Sequence, residues 1–290
     1  MISPQYKGSL FAIASGVMYG LLGYFGMTIV HENWSVHNML MWRFLISSLF
    51  IGALIIPKLR TLHDSWCEML KVVLYGMIFY GPTSIIYFIA SQSIGTGLAM
   101  VIFFTFPAMV MFLNWIMHRK PIATAYFSAL ALILLGMFFL VGANGGSFDV
   151  FGVGLGLVSA LFYAFYMVVS KNNKVSPYVS TLMVSIGCML TAFICALIDH
   201  SFVMPMTFML WKNLLCMGII STALPILLML EAFRFISAEK ASILSVFEPV
   251  CVVISGILFL DEHLSPFQGI GVVAILIGVL ITLYSKSTSE

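Results

Sequence analysis

Three ionisable side chains, Glu248, Arg43 and Glu231, stand in long apolar runs, and any chemistry this chain performs would centre on them. Glu248 lies in Ile243-Leu244-Ser245-Val246-Phe247-Glu248-Pro249-Val250, and Arg43 in Leu40-Met41-Trp42-Arg43-Phe44-Leu45. A charge at membrane depth is expensive, so each is a candidate site residue. The missing N–H of Pro249 weakens the local helix ladder and frees a carbonyl. A carboxyl group beside it could exchange a proton or hold a cationic amine. It could also brace the kink by pairing with backbone or with a hydroxyl such as Ser245. The planar fork of Arg43 suits a carboxylate or phosphate in a central cavity, although the same side chain could snorkel toward the outer headgroups. Glu231 and Arg234 are three residues apart and are expected to pair on one helix face near the interface. Tyr19 and Tyr163 sit beside small residues in apolar runs, where a buried hydroxyl needs a partner that a cavity can supply. The residues assigned to solute binding are therefore Tyr19, Arg43, Tyr163 and Glu248.

Other chemistries find little footing. The six histidines fall at or near the ends of apolar runs, and no H-E-x-x-H, Walker loop or nucleophile elbow occurs. Five cysteines without a C-x-x-C give no zinc site or disulfide framework. Gly152-Val153-Gly154-Leu155-Gly156 opens an apolar helix and reads as packing. No catalytic residue, cofactor or metal is expected. With no ATP-binding segment, transport would be passive or driven by another gradient.

These residues need a membrane around them. Of 290 residues, 61% are hydrophobic and only 8% charged, and the mean hydropathy is +1.09. A soluble domain is about 25% charged, so this surface must face lipid, where backbone groups pair within helices. A net charge of +2, with no basic run longer than Arg119-Lys120, leaves nucleic acid out; the expected partners are membrane lipid and a small-molecule solute, with the chain a monomer or homodimer. A span needs about 20 apolar residues. That places ten spans near 8–30, 36–57, 69–92, 96–117, 122–141, 150–170, 178–198, 212–235, 240–260 and 266–285. With the N-terminus inside, eleven of the 13 basic residues fall on the inner side, Lys212 alone on the outer side, and Arg43 within span two. Such an asymmetry predicts both termini in the cytoplasm.

The chain also resembles itself at an offset of 142 to 144 residues. Ser15-Gly16-Val17-Met18-Tyr19-Gly20 falls on Ser159-Ala160-Leu161-Phe162-Tyr163-Ala164, Pro82 near Pro225, Pro107 on Pro249 and Gly136 on Gly278. Matched intramembrane prolines carry more weight than matched apolar residues. Five spans per half is odd, so the second half must insert upside down. The loops agree, with Asp261-Glu262-His263 standing where the first half has His118-Arg119-Lys120. The expected fold is all-α, ten transmembrane helices in two inverted five-helix repeats, 1–145 and 146–290. Inverted repeats with interrupted helices are a common plan of secondary transporters.

The stretch Lys240-Ala241-Ser242-Ile243-Leu244-Ser245-Val246-Phe247-Glu248-Pro249-Val250, followed by Leu260-Asp261-Glu262-His263-Leu264-Ser265-Pro266 and a Gly-rich last span, resembles the EamA type of the drug/metabolite transporter superfamily. Tyr19-Gly20 and Trp42-Arg43-Phe44 resemble its first two helices. The resemblance implies a carrier of small organic solutes in a bacterial cytoplasmic membrane. It departs from the pattern at Phe106-Pro107, which stands where the second half has Glu248-Pro249. The function expected is a secondary exporter or exchanger of a small polar metabolite such as an amino acid, by alternating access. The rivals are an uptake carrier for a nucleoside-like or S-adenosylmethionine-like solute, a membrane-embedded lipid-modifying enzyme, and a scaffold subunit. Orientation is directly testable. Cysteines introduced at Asn33 and Gly145 should react with an impermeant thiol reagent applied to intact cells, and one at Asn173 should not; labelling of Asn173 would reverse the topology.

Overall fold

The computed structural model describes residues 3–30, 34–57, 64–119, 124–141, 149–251 and 266–284. Among the described residues there is no strand, and seven helices are long and apolar enough to cross a membrane, with shorter apolar helices at Thr124–Phe139 and Gly269–Thr282. The first repeat contains α1 (Pro4–Gly20), α2 (Leu22–Val30), α3 (Val36–Ile55), α4 (Trp66–Tyr75), α5 (Gly81–Ile94), α6 (Thr96–Phe103), α7 (Phe106–His118) and α8 (Thr124–Val141). The second contains α9 (Val150–Lys171), α10 (Pro177–Ile198), α11 (Phe208–Gly218), α12 (Leu224–Ala232), α13 (Ala238–Leu244), α14 (from 247 to the last described residue there, 251) and α15 (Pro266–Tyr284). Consecutive helices α1 and α2, α6 and α7, and α13 and α14 are each the parts of one interrupted span. The architecture is all-α, with two inverted five-helix repeats.

Helix starts carry their own caps. Ser3, Ser35, Thr207 and Ser237 each accept a hydrogen bond from the backbone N–H three residues on, and Asp149 accepts from Phe151 and Gly152. These polar N-caps satisfy the free amides at helix starts. Within the spans, each repeat has a π-helical turn just before its proline. Gly76–Tyr80 precedes Gly81-Pro82, and Ile219–Ala223 precedes Leu224-Pro225. In both, the first residue of the following helix donates five residues back, Gly81 to Gly76 and Leu224 to Ile219. The sequence reading matched these prolines but expected ordinary helix around them.

The repeats interlock across the pseudo-two-fold. Ser15 on α1 donates to the carbonyl of Pro225 at 2.8 Å, and its counterpart Ser159 on α9 donates to that of Thr83 at 2.9 Å. The first helix of each half thus packs on the third span of the other. Span five and span ten meet at their backbones. A Cβ on Gly136 would lie 2.7 Å from the carbonyl oxygen of Gly271, and one on Gly278 would lie 2.8 Å from that of Ala129. The four residues are related by the same offset of 142 that relates the two glycines.

Boundaries differ in detail from the sequence reading. Span one begins at Pro4 and is interrupted at Leu21. Span eight begins at Phe208, which puts Lys212 inside the helix. Span nine, expected to run unbroken from 240, breaks at Ser245-Val246 before resuming at 247. The break in span four at Phe104-Thr105 is its repeat mate, and in each a hydroxyl closes the end: Thr105 donates to Ile102 at 2.7 Å and Ser245 to Ser242 at 2.8 Å. Lys58, Arg60, Lys120, Lys286 and the Asp261-Glu262-His263 loop lie outside the described residues.

Polar contacts gather at the two ends. At one end His37 pairs with Asp199 at 2.5 Å, while Asn38 and Trp42 donate to the Val203 carbonyl at 3.1 and 3.0 Å. At the other, Asp64 accepts from the backbone and hydroxyl of Ser176, Lys171 donates to the Phe233 carbonyl, and Asn114 donates to Glu239 at 2.5 Å. Glu231 and Arg234 pair locally at 3.2 Å, as expected.

The glycine contacts are testable. Gly278→Ala forces a methyl group against the Ala129 carbonyl and should cost about 1–3 kcal/mol, read as a lower unfolding temperature in detergent. Gly154→Ala, where nothing lies within 4 Å, should be neutral or slightly stabilising.

Candidate functional site

Tyr19, Arg43, Tyr163 and Glu248 all line one cavity in the middle of the bundle. Their convergence follows from the interlocked repeats. Tyr19 and Tyr163 hold matched positions on α1 and α9, and each of those helices crosses into the opposite half. Between them the third span contributes Tyr80, Thr83, Ser84, Tyr87 and Phe88, and α6 contributes Phe103. The cavity measures ≈ 60 Å³, room for roughly four to six waters.

Its walls are mostly aromatic. Tyr80 stacks on Tyr166 at 4.8 Å between ring centres, and Tyr163 meets Phe106 edge to face at 4.8 Å and Phe103 at 5.3 Å. The Tyr19 and Tyr80 hydroxyls bond each other at 2.8 Å. No hydrogen bond reaches the Tyr163 hydroxyl from any described residue.

Against these walls stand two charged groups. Arg43 is only 2% exposed, so it does not snorkel to the headgroups. Its Nε donates to the Thr222 hydroxyl at 2.6 Å, and the Phe44 ring lies 5.0 Å from the guanidinium carbon. None of the ion pairs among the described residues includes it, and its two terminal nitrogens have no hydrogen-bond partner among them. An arginine at the centre of a membrane helix costs about 3 kcal/mol even on the milder insertion scale. That cost is borne here without a paired carboxylate.

Glu248 is half-buried in the first turn of α14, its N–H bonded to the Ser245 carbonyl at 3.0 Å. The alternative of a pairing with the Ser245 hydroxyl is not realised, because that hydroxyl donates to the Ser242 carbonyl instead. The carboxylate accepts no hydrogen bond from any described residue, and Arg43 is the opposite charge that acts on it across the cavity. Gly20 sets its place: a Cβ there would lie 2.6 Å from Cys251 and 2.9 Å from the Glu248 carbonyl, so α1 presses directly on the turn that carries it.

Comparison with known proteins decides what kind of molecule this is. The model of the EamA-like transporter family matches residues 6–142 and again 150–284. The chain belongs to that family. Among EamA relatives, the protein named Uncharacterized transporter YxxF of Bacillus subtilis (strain 168) is 23% identical over 94% of this chain and 88% of its own length. The Threonine/homoserine exporter RhtA of Escherichia coli (strain K12) is 26% identical over 76% of this chain and 74% of its own. A solved crystal structure superposes with a TM-score of 0.81 at 16% identity, covering 94% of this chain and 95% of that one, which establishes the fold alone. The EamA chain is therefore a multi-pass membrane transporter and not an enzyme.

Several cavity residues escaped the sequence reading. Tyr80 and Tyr87 are not singled out by the sequence, although Tyr80 stands two residues before a repeat-matched proline, which was the available signal. Phe103 and Thr83 carried none, and neither did Thr222, which does not line the cavity but bonds Arg43. The hydroxyl pair offers a check on the geometry. Tyr19→Phe and Tyr80→Phe should each cost about 1 kcal/mol in thermal unfolding, and the double variant little more than either, since each hydroxyl serves the other.

Proposed function

We propose that this chain is a secondary exporter or exchanger of a small polar organic metabolite, an amino acid being the best fit, working by alternating access. One observation carries the reading: a single aromatic cavity brings together a buried arginine and a carboxylate, and among the described residues neither the two terminal nitrogens of the one nor the oxygens of the other have a hydrogen-bond partner. A solute bearing an anionic group satisfies the first, and an amine satisfies the second. A full charge at about 4 Å from the guanidinium gains about 4 kcal/mol at an effective dielectric constant of 20, enough to outweigh part of the dehydration of both groups. Tyr19 and Tyr163 supply hydroxyls and ring faces.

Cavity size bears on the alternatives. A space of ≈ 60 Å³ suits a fragment of a few heavy atoms, and an amino acid needs only modest widening of it. A nucleoside-like or S-adenosylmethionine-like solute needs several times more. The name of the RhtA relative, a threonine/homoserine exporter, supports an amino acid and outward movement. The moving units are the repeats 1–145 and 146–290, rocking about the cavity, with both termini cytoplasmic. The concentration of Lys7, Lys171, Lys174 and Arg234 at one end of the bundle supports that orientation.

Counterflow in proteoliposomes tests the proposal. Labelled threonine or homoserine should accumulate saturably against an internal pool of the unlabelled solute. Arg43→Lys and Arg43→Ala should both slow it at least tenfold, because an ammonium cannot reproduce the fork. Glu248→Gln, which keeps shape but not charge, should insert normally and lose most transport. Wild-type rates in the Arg43 variants at matched reconstitution would end the case for this cavity as the binding site.

A further inference from the structure

The arginine is useful only if its fork points the right way, and one residue of the opposite half determines that. Thr222 is fully buried in the π-helical turn Ile219–Ala223. Its hydroxyl donates to the carbonyl of Met217, five residues back, at 2.7 Å. Several other helical threonines and serines here donate four residues back, as Ser48 does to Phe44, Ser84 to Tyr80 and Thr282 to Gly278. The extra residue in the π turn thus rotates Thr222 away from its usual partner. With the hydroxyl proton committed to Met217, the oxygen can only accept along its other direction, and what it accepts is Arg43 Nε–H at 2.6 Å.

The approach of the two helices is fixed as well. A Cβ on Gly218, next to the π turn, would lie 2.6 Å from Ile46 and 3.0 Å from the Arg43 carbonyl, so α11 and α3 touch at backbone distance. The Phe44 ring lies 5.0 Å from the guanidinium carbon. A guanidinium is planar, so holding Nε–H in one direction and restricting one face leaves the two terminal nitrogens with a single aim.

We propose that Thr222 is a positioning residue: through Arg43 Nε it orients the guanidinium fork into the cavity to receive the carboxylate of the transported solute. The inference rests on the reading of Arg43 as the anion-binding group. Such pre-orientation raises affinity by removing rotamer freedom before the solute arrives. π-Turns are often found at functional sites, and this one has a nameable task. The first repeat has a π turn at the matched place but puts Phe79 where the second has Thr222, and its loosened carbonyls Gly76 and Met77 are met by Cys188 and Thr191. Arginine orientation is therefore a property of the second repeat alone.

Two measurements on the full chain test this. The first needs no solute. The chain has four arginines, so uniform labelling of arginine with 15N gives four Nε–H signals by NMR. One should exchange slowly with water and vanish in Arg43→Gln. In Thr222→Val, which keeps the volume and removes both hydrogen-bonding functions, its exchange should quicken at least tenfold, and in Thr222→Ser it should stay slow. The second uses inhibition of threonine counterflow by unlabelled threonine and by threoninol, its amino-alcohol analogue without the carboxylate. Thr222→Val should weaken threonine at least tenfold and threoninol less than threefold, with Thr222→Ser restoring the threonine value. Slow Nε–H exchange in Thr222→Val, or equal weakening of the two inhibitors, would overturn the proposal while leaving Arg43 in place. Full activity of Arg43→Gln would overturn both this proposal and the reading on which it rests.

Discussion

In hydrocarbon a backbone carbonyl has no water to bond, and nearly every feature of this protein answers that constraint. Helices satisfy it for most of the chain. Pro82 and Pro225 remove donors in mid-membrane, and the π turns before them pass the bonding from four residues back to five. Side chains bond further carbonyls close to these turns. Thr191 serves Met77, Thr222 serves Met217, and Ser15 serves Pro225. Most of these donors come from a neighbouring helix, so the repair of a helix defect is also a helix–helix contact. The first π turn ends at Tyr80, which lines the internal cavity, and the second buries Ser221, Thr222 and Ala223.

The second ordering influence is the pseudo-two-fold. Reciprocal contacts such as Gly136 on Gly271 and Gly278 on Ala129 require two halves that see each other in the same way. The cavity inherits Tyr19 and Tyr163 from that relation. Its charges it does not inherit. Arg43 corresponds to the uncharged stretch Ser185-Ile186-Gly187, and Glu248 to Phe106. A symmetric frame thus holds an asymmetric site, and the departures from symmetry are the groups best suited to recognise a solute.

Much of this was legible in the sequence because a few residues are costly in lipid. Proline pairs at a constant offset, a lone arginine and a lone glutamate stand out against an apolar background, and the four site residues named from them line one cavity. What the sequence did not reveal depends on a single extra backbone residue. A π turn has no composition of its own, since Gly76-Met77-Ile78-Phe79-Tyr80 and Ile219-Ile220-Ser221-Thr222-Ala223 share hardly a residue. Without that turn, Thr222 would be read as bonding only its own helix and Tyr80 as another core aromatic. The interruption at Ser245-Val246 was hidden for a related reason: no glycine marks it, and Pro249 comes four residues after Ser245.

The unequal halves have a thermodynamic consequence. Were the repeats identical, exchanging their conformations would turn an outward-facing carrier into an inward-facing one of the same energy. With Arg43 and Glu248 on one side of the relation only, the two empty states place those charges in different surroundings and cannot be degenerate. Each difference of about 1.4 kcal/mol makes one state tenfold more populated. If the chain works by the alternating access proposed above, its empty form would populate one facing more than the other, and a solute would meet different apparent affinities on the two sides of the membrane. For a passive exchanger the maximal rates in the two directions must differ in compensation, so that the final gradient is untouched while the speed of approach depends on the side from which the solute comes.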